Sequence, residues 1–359
     1  MVLNDLEKIK KLDSSRVAES IELLPDQMRQ VLSDARLIKI PYPYTRITQV
    51  VVNGMGGSNL GAGLVKAAWG DQIKVPITIS PGYNLPAHVN KNTLYVISSY
   101  SGNTEEPLST YREAKKRGAK IIAITAQGEK NKLARLMLRD DIPGYIFTPR
   151  FNPSGQPRLG LGYAVLGLAA LLAKTGLFKI KKQEIKDIIA QLEIDSRKLK
   201  PESPLAVNSA KKLAAKLAGK IPVLVGAEFA TGNVRVLRNQ INENAKQFAT
   251  YLVLPDLNHY AMEGLVHPAS NRKNLIFLFF NSSFYTSRVR LRANLTEKIV
   301  RKNGLEAISY NLKKQTKLAQ VFELLQIGTW LSFYLGILNN VDPAKIPWVD
   351  WFKKQLAKK

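Results

Sequence analysis

Cysteine is absent from all 359 residues, which excludes disulfides and thiolate metal sites. Histidine is nearly as scarce, with only His88, His259 and His267. A transition metal would therefore have to rest heavily on carboxylates. Long apolar runs are missing too. The longest uncharged apolar run, residues 159–173, has 15 residues, against the roughly 20 that span a bilayer. The opening stretch MVLNDLEKIKKLDSS lacks the apolar core of a signal peptide. These absences set the expectation of a soluble, cytoplasmic chain with no membrane segment. Acidic residues are outnumbered as well: 28 Asp and Glu face 53 Lys and Arg, a net charge of +25. Such a field draws in anions. The lysines are scattered as doublets such as Lys115-Lys116 and Lys181-Lys182, without interleaved aromatics or a recognition motif. That pattern reads as a basic solvated surface and argues against nucleic acid as the main partner. An accessory polyanion-binding role is the alternative.

What is present is the composition of a folded protein, 45% hydrophobic and 23% charged. Residues 1–45 read as helices with connections punctuated by Pro25, Pro41 and Pro43. Apolar runs at 47–52, 75–80, 94–98, 121–125 and 144–148 alternate with helical segments, as do later runs at 221–226, 275–280 and 307–310. Strands alternating with helices imply βαβ units and parallel sheets. The fold class expected is therefore α/β, with two doubly wound domains at 46–178 and 205–340, joined by a polar linker at 179–204. An N-terminal helical segment, 1–45, and a C-terminal helix within 341–359 complete the chain.

Open parallel sheets bind ligands at the carboxyl ends of their strands. Two loops fall there: Gly54-Met55-Gly56-Gly57-Ser58 and Ser99-Tyr100-Ser101-Gly102-Asn103-Thr104. Ser99, Ser101 and Thr104 offer three hydroxyls within six residues. Gly102 lets the backbone approach a ligand, and the following helix start adds free amides. These features point to a bound phosphate. Plain helix capping, with Glu105 and Glu106 in the first turn, is the competing explanation. No Walker-type lysine lies in either loop.

The sequence SYSGNTEE, residues 99–106, resembles the signature of the sugar isomerase (SIS) domain. With Gly54–Ser58 ahead of it, the chain is similar to the bifunctional phosphoglucose/phosphomannose isomerases, which are built of two tandem SIS domains. The resemblance implies a phosphate subsite from Gly56, Gly57, Ser58, Ser99, Ser101 and Thr104. It assigns Arg158, in Pro153-Ser154-Gly155-Gln156-Pro157-Arg158, to stabilising an enediolate. Glu243, in Asn242-Glu243-Asn244-Ala245-Lys246, takes the role of general base. His259 opens the cyclic sugar from the neighbouring subunit of a homodimer. Where the family more often has Glu and Asn around that histidine, this chain has Asp256 and Tyr260. Lys353, after Asp342-Pro343, is the family's closing-helix cation, with Lys354 beside it as the alternative.

The activity implied is interconversion of glucose 6-phosphate or mannose 6-phosphate with fructose 6-phosphate, using no metal and no redox cofactor. Two alternatives stand beside it: a noncatalytic phosphosugar sensor, and an SIS isomerase for another sugar phosphate. A metal bridging His259 and His267 is opposed by spacing, since on a helix the two would lie about 12 Å apart along the axis; Gly264 and Pro268 also argue against a continuous helix.

Overall fold

The structure is a computed structural model and describes residues 2–41, 44 and 46–358, so Pro43 and Lys359 lie outside the described residues. The chain divides into two compact units, one formed by Glu22–Glu193 and the other by residues 2–21 with 194–358.

The unit Glu22–Glu193 holds five strands: β1 (Gln49–Asn53), β2 (Ile77–Ile79), β3 (Thr93–Ser98), β4 (Lys120–Ala126) and β5 (Gly144–Phe147). They form one parallel sheet in the order β2-β1-β3-β4-β5. Strands covered on both faces need no polar alternation, and β3 is buried at every position. The helix Gly56–Trp69 packs against the helix Leu161–Lys174. A Cβ on Gly61 would meet Ala164 O at 2.9 Å, so glycine is what lets the two backbones meet. The helix Leu24–Asp34 lies on Leu161–Lys174 as well. Pro25 therefore sits in the first turn of that helix, where its missing N–H costs nothing; it does not mark a connection.

The second unit holds β6 (Ile221–Ala227), β7 (Thr250–Leu254), β8 (Leu275–Asn281) and β9 (Glu306–Asn311), all parallel, in the order β7-β6-β8-β9. This repeats the first sheet without its last strand. Strand β7 is not among the apolar runs that the sequence shows. The helix before it is Thr231–Ala245, and Lys246 ends that helix in the left-handed region at φ 51°. The polar stretch after residue 179 also differs from expectation. It contains the helix Lys182–Leu199, whose buried Ile185, Ile188, Ile189 and Leu192 share one face.

The helix Lys317–Leu338 is long and apolar enough to cross a membrane by length and composition. Here it is the core of its unit, buried from Leu318 to Ile337 and packed against Thr231–Ala245 and Ser209–Leu217. Trp330 stacks on Tyr334 within it, with ring centroids 5.7 Å apart.

One carboxylate makes this unit's stability depend on pH. Asp13 accepts from the Val17 and Ala18 amides at 2.7 and 2.9 Å. Burial nevertheless pushes its pKa up to about 6, outweighing those bonds. Between the ordinary carboxylate range and pH 6 the folded chain holds a proton that the unfolded chain has released. Stability from this group therefore falls as pH rises through that window. Asp13→Asn is expected to gain on the parent protein in urea denaturation between pH 4 and 6. Parallel pH trends in the two proteins would contradict the shift.

Candidate active site

In the unit Glu22–Glu193 the strand order reverses between β1 and β3, the place where doubly wound sheets take their ligands. Both predicted phosphate loops leave the sheet there. Ser58 joins them: its Oγ accepts from Tyr100 N at 2.8 Å, and its carbonyl accepts from Ser98 Oγ at 3.2 Å. Gly54 is required by the same closeness, since a Cβ there would lie 2.6 Å from Ser98 O.

Within Ser99–Thr104 the three hydroxyls divide their work. Ser99 is fully buried; its Oγ accepts from Gly102 N at 3.0 Å and pairs with Thr104 Oγ1 at 2.8 Å. It shapes the loop. Ser101 is exposed and accepts from Asn103 N at 3.3 Å. Thr104 makes no side-chain cap bond to the helix Glu105–Ser109, so the simple capping account does not describe it. Gly102 has φ +67°, and a Cβ there would stand 1.7 Å from Asn131 Oδ1.

The third predicted element arrives at the same place. Arg158 sits in the turn Pro157–Leu159, almost wholly buried, with Nη1 donating to Gln156 Oε1 at 2.8 Å. Its backbone lies against the first loop: a Cβ on Gly57 would come within 3.0 Å of Arg158 N and Pro157 C. Two residues that the sequence reading passed over hold this turn. Asn152 donates to Tyr100 Oη at 2.8 Å and to Gln156 O at 3.0 Å. Buried Gln27 donates to Leu159 O at 3.0 Å and to Phe151 O at 2.9 Å, and accepts from Gly162 N at 3.0 Å. The Tyr100 hydroxyl is pushed up to about 12 by burial, so it stays protonated.

The second unit carries Glu243, His259 and Lys353, and it does not gather them. Glu243 is half-buried near the end of Thr231–Ala245, a helix that starts at the carboxyl end of β6 and runs back to the amino edge. Asn244 beside it is fully buried and donates to Ser332 Oγ at 2.9 Å. Asn339 Nδ2 donates to Ala245 O at 3.0 Å, so the chain leading to Lys353 also leaves from this edge. Lys353 itself is exposed on the helix Pro347–Leu356, as is Lys354. His259 closes a short turn, Asp256–His259, beyond the carboxyl end of β7. The length of β7, roughly 15 Å at a strand's rise, thus separates the Glu243 edge from the His259 edge.

His259 and His267 are not on one helix: His259 ends the turn Asp256–His259, and a second short turn, Glu263–Leu265, lies between them. Among the described residues no three of His, Asp and Glu form a cluster suited to a metal ion. The β8 loop is the topological counterpart of Ser99–Thr104, but its helix start is already answered: Thr286 N donates to Glu228 Oε1 at 3.0 Å. A carboxylate of the chain thus occupies that helix start.

Comparison with known proteins bears on the family and the fold. Residues 45–138 match the SIS domain model, and residues 206–356 match the bacterial phospho-glucose isomerase C-terminal SIS domain. A bifunctional phosphoglucose/phosphomannose isomerase of Caldicellulosiruptor bescii is 34% identical over 94% of this chain and 98% of its own length. This chain belongs to the bifunctional phosphoglucose/phosphomannose isomerase family. A second member of that family, from Aquifex aeolicus, is 29% identical over 86% of this chain and 90% of its own. Among solved structures, a hypothetical protein of Thermus thermophilus shares the fold, with a TM-score of 0.73 at 14% identity over 98% of this chain and 93% of that one. The two SIS domains of the family are the two sheets described above.

Because Gly102 is both left-handed and in contact with Asn131, Gly102→Ala is expected to cost about 2 kcal/mol or more. Urea denaturation measures this, and a variant as stable as the parent would show that the loop is not so constrained.

Proposed function

We propose that the chain is an aldose-ketose isomerase acting on glucose 6-phosphate and mannose 6-phosphate, both giving fructose 6-phosphate through a shared cis-enediol(ate). The observation that carries this reading is the junction of Gly57, Ser58, Tyr100 and Arg158 at the switch point of the first sheet. There the backbone of Arg158 lies against the glycine loop, and Ser58 ties that loop to Tyr100. In this reading Ser58, Ser101, Thr104 and the glycine-loop amides hold the phosphate, while Ser99 keeps the loop in shape. Binding energy from the unreacting phosphate then orients the reacting carbons.

Glu243 removes the C2 proton and returns it to C1, with the enediolate charge met by Arg158. Glucose and mannose phosphates differ only at C2, so one base serves both. His259 and Lys353 open the ring. The reaction shifts protons within the substrate and calls for no metal and no redox cofactor.

The opposite-edge placement of Glu243 and His259 supports a homodimer in which each histidine serves the partner's pocket. A hexose phosphate is shorter than the roughly 15 Å of strand between those edges. Within one chain the two groups would not reach the same sugar.

Turnover of both hexose phosphates, unchanged by chelator, is the expected result with purified protein; turnover of neither would remove the enzyme reading. Glu243→Gln is expected to lower kcat by about 10²–10⁴-fold, the usual contribution of a general base, with KM little changed. Mixing Glu243→Gln with His259→Ala chains tests the shared site. Regained activity after subunit exchange is expected, because some mixed dimers keep one intact site; no recovery in verified mixed dimers would place the histidine in its own chain's pocket.

A further inference from the structure

A groove of about 330 Å³ opens on the unit Glu22–Glu193, between two of its helical segments. Its walls are the helix Lys132–Arg139 and the segment around the helix Tyr111–Lys116. Lys132, Arg135 and Arg139 recur at helical spacing along one wall, and Arg112 stands on the other. No carboxylate lines the groove. Arg139 is paired with Asp140 at 2.7 Å. Arg112, Lys132 and Arg135 are exposed and belong to none of the ion pairs found among the described residues. The floor is apolar, from half-buried Leu108 and Leu136.

Four cations line one concavity, and for Arg112, Lys132 and Arg135 no ion pair within the described residues offsets their mutual repulsion. In this setting they make a multidentate anion site. Lys132 to Arg139 spans roughly 10 Å along the helix axis, a length that suits a short chain of linked phosphates. The volume is that of a small-ligand pocket. A nucleic-acid strand would want aromatic faces for its bases. The aromatic ring here, Tyr111, is buried with its hydroxyl donating to Asp140.

We propose that this groove binds a small oligophosphate, a ligand with two or more linked phosphoryl groups, at a place distinct from the substrate's phosphate loop. The two places share the helix Lys132–Arg139. Lys132 N donates to Asn103 Oδ1 at 3.2 Å and Leu133 N to Gly102 O at 3.0 Å, so its first turn holds the substrate loop while its outer face forms the groove.

The probe is inorganic tripolyphosphate, titrated calorimetrically into the full-length protein. Binding is expected in the parent and in Ser99→Ala/Ser101→Ala, and is expected to weaken at least tenfold in Arg112→Glu/Arg135→Glu. Lys181→Glu/Lys182→Glu changes net charge equally at another exposed site and is expected to bind like the parent. Retained folding of each variant is checked by circular dichroism. The proposal is overturned by no binding to the parent, by equal weakening in both charge-reversed variants, or by loss in the Ser99/Ser101 variant alone. A single-stranded RNA that binds the groove more tightly than tripolyphosphate would overturn it too.

Discussion

Asn131 fills the space that Gly102 leaves, and much of the first unit hangs on that fit. Its side chain donates to Thr125 Oγ1 and Ala126 O at the end of β4, and its Oδ1 accepts from Ala134 N to start the next helix. The loop after β3 is thereby fixed against the neighbouring strand's exit. Ser58 fixes it on the other side, through the Tyr100 amide. A loop held from both flanks has little freedom left to lose on taking up a ligand, which is the general way preorganisation raises affinity.

The arginine turn is held by the same economy of contacts. Gly57 and Gly160 remove the side chains that would push it away, the latter leaving room for the Tyr100 ring, whose edge would stand 2.5 Å from a Cβ. Asn152 and Gln27 then satisfy the turn's backbone from opposite sides. A buried guanidinium is tolerable only where its donors are met and its surroundings cannot relax. Arg158 sits in such a frame, built from residues spread between 27 and 162.

Much of this was legible in the sequence, and the exceptions share a cause. The apolar runs that became β1, β3, β4, β6 and β8 are buried on both faces and stand out in any window. Strand β7 does not: four of its five residues are only half-buried, and no glycine or proline separates it from the helix before it. The Lys182–Leu199 stripe was hidden by the charges between its isoleucines. At the site, the motif residues could be named individually, but a list cannot show that Ser99 is spent on its own loop. Nor can a separation of sixteen positions between Glu243 and His259 reveal that a strand stands between them. Gln27 and Asn152 leave no local trace, because what they satisfy lies far away in the chain.

The division of the second unit into two edges has a consequence for heredity as much as for chemistry. On the dimeric reading, each chain owns parts of two catalytic centres and the whole of neither. A damaged copy then spoils sites that its healthy partner helped to build, while two copies damaged at different edges can still leave one centre whole. Selection would act on the pair, and the chain alone would not be the unit that works.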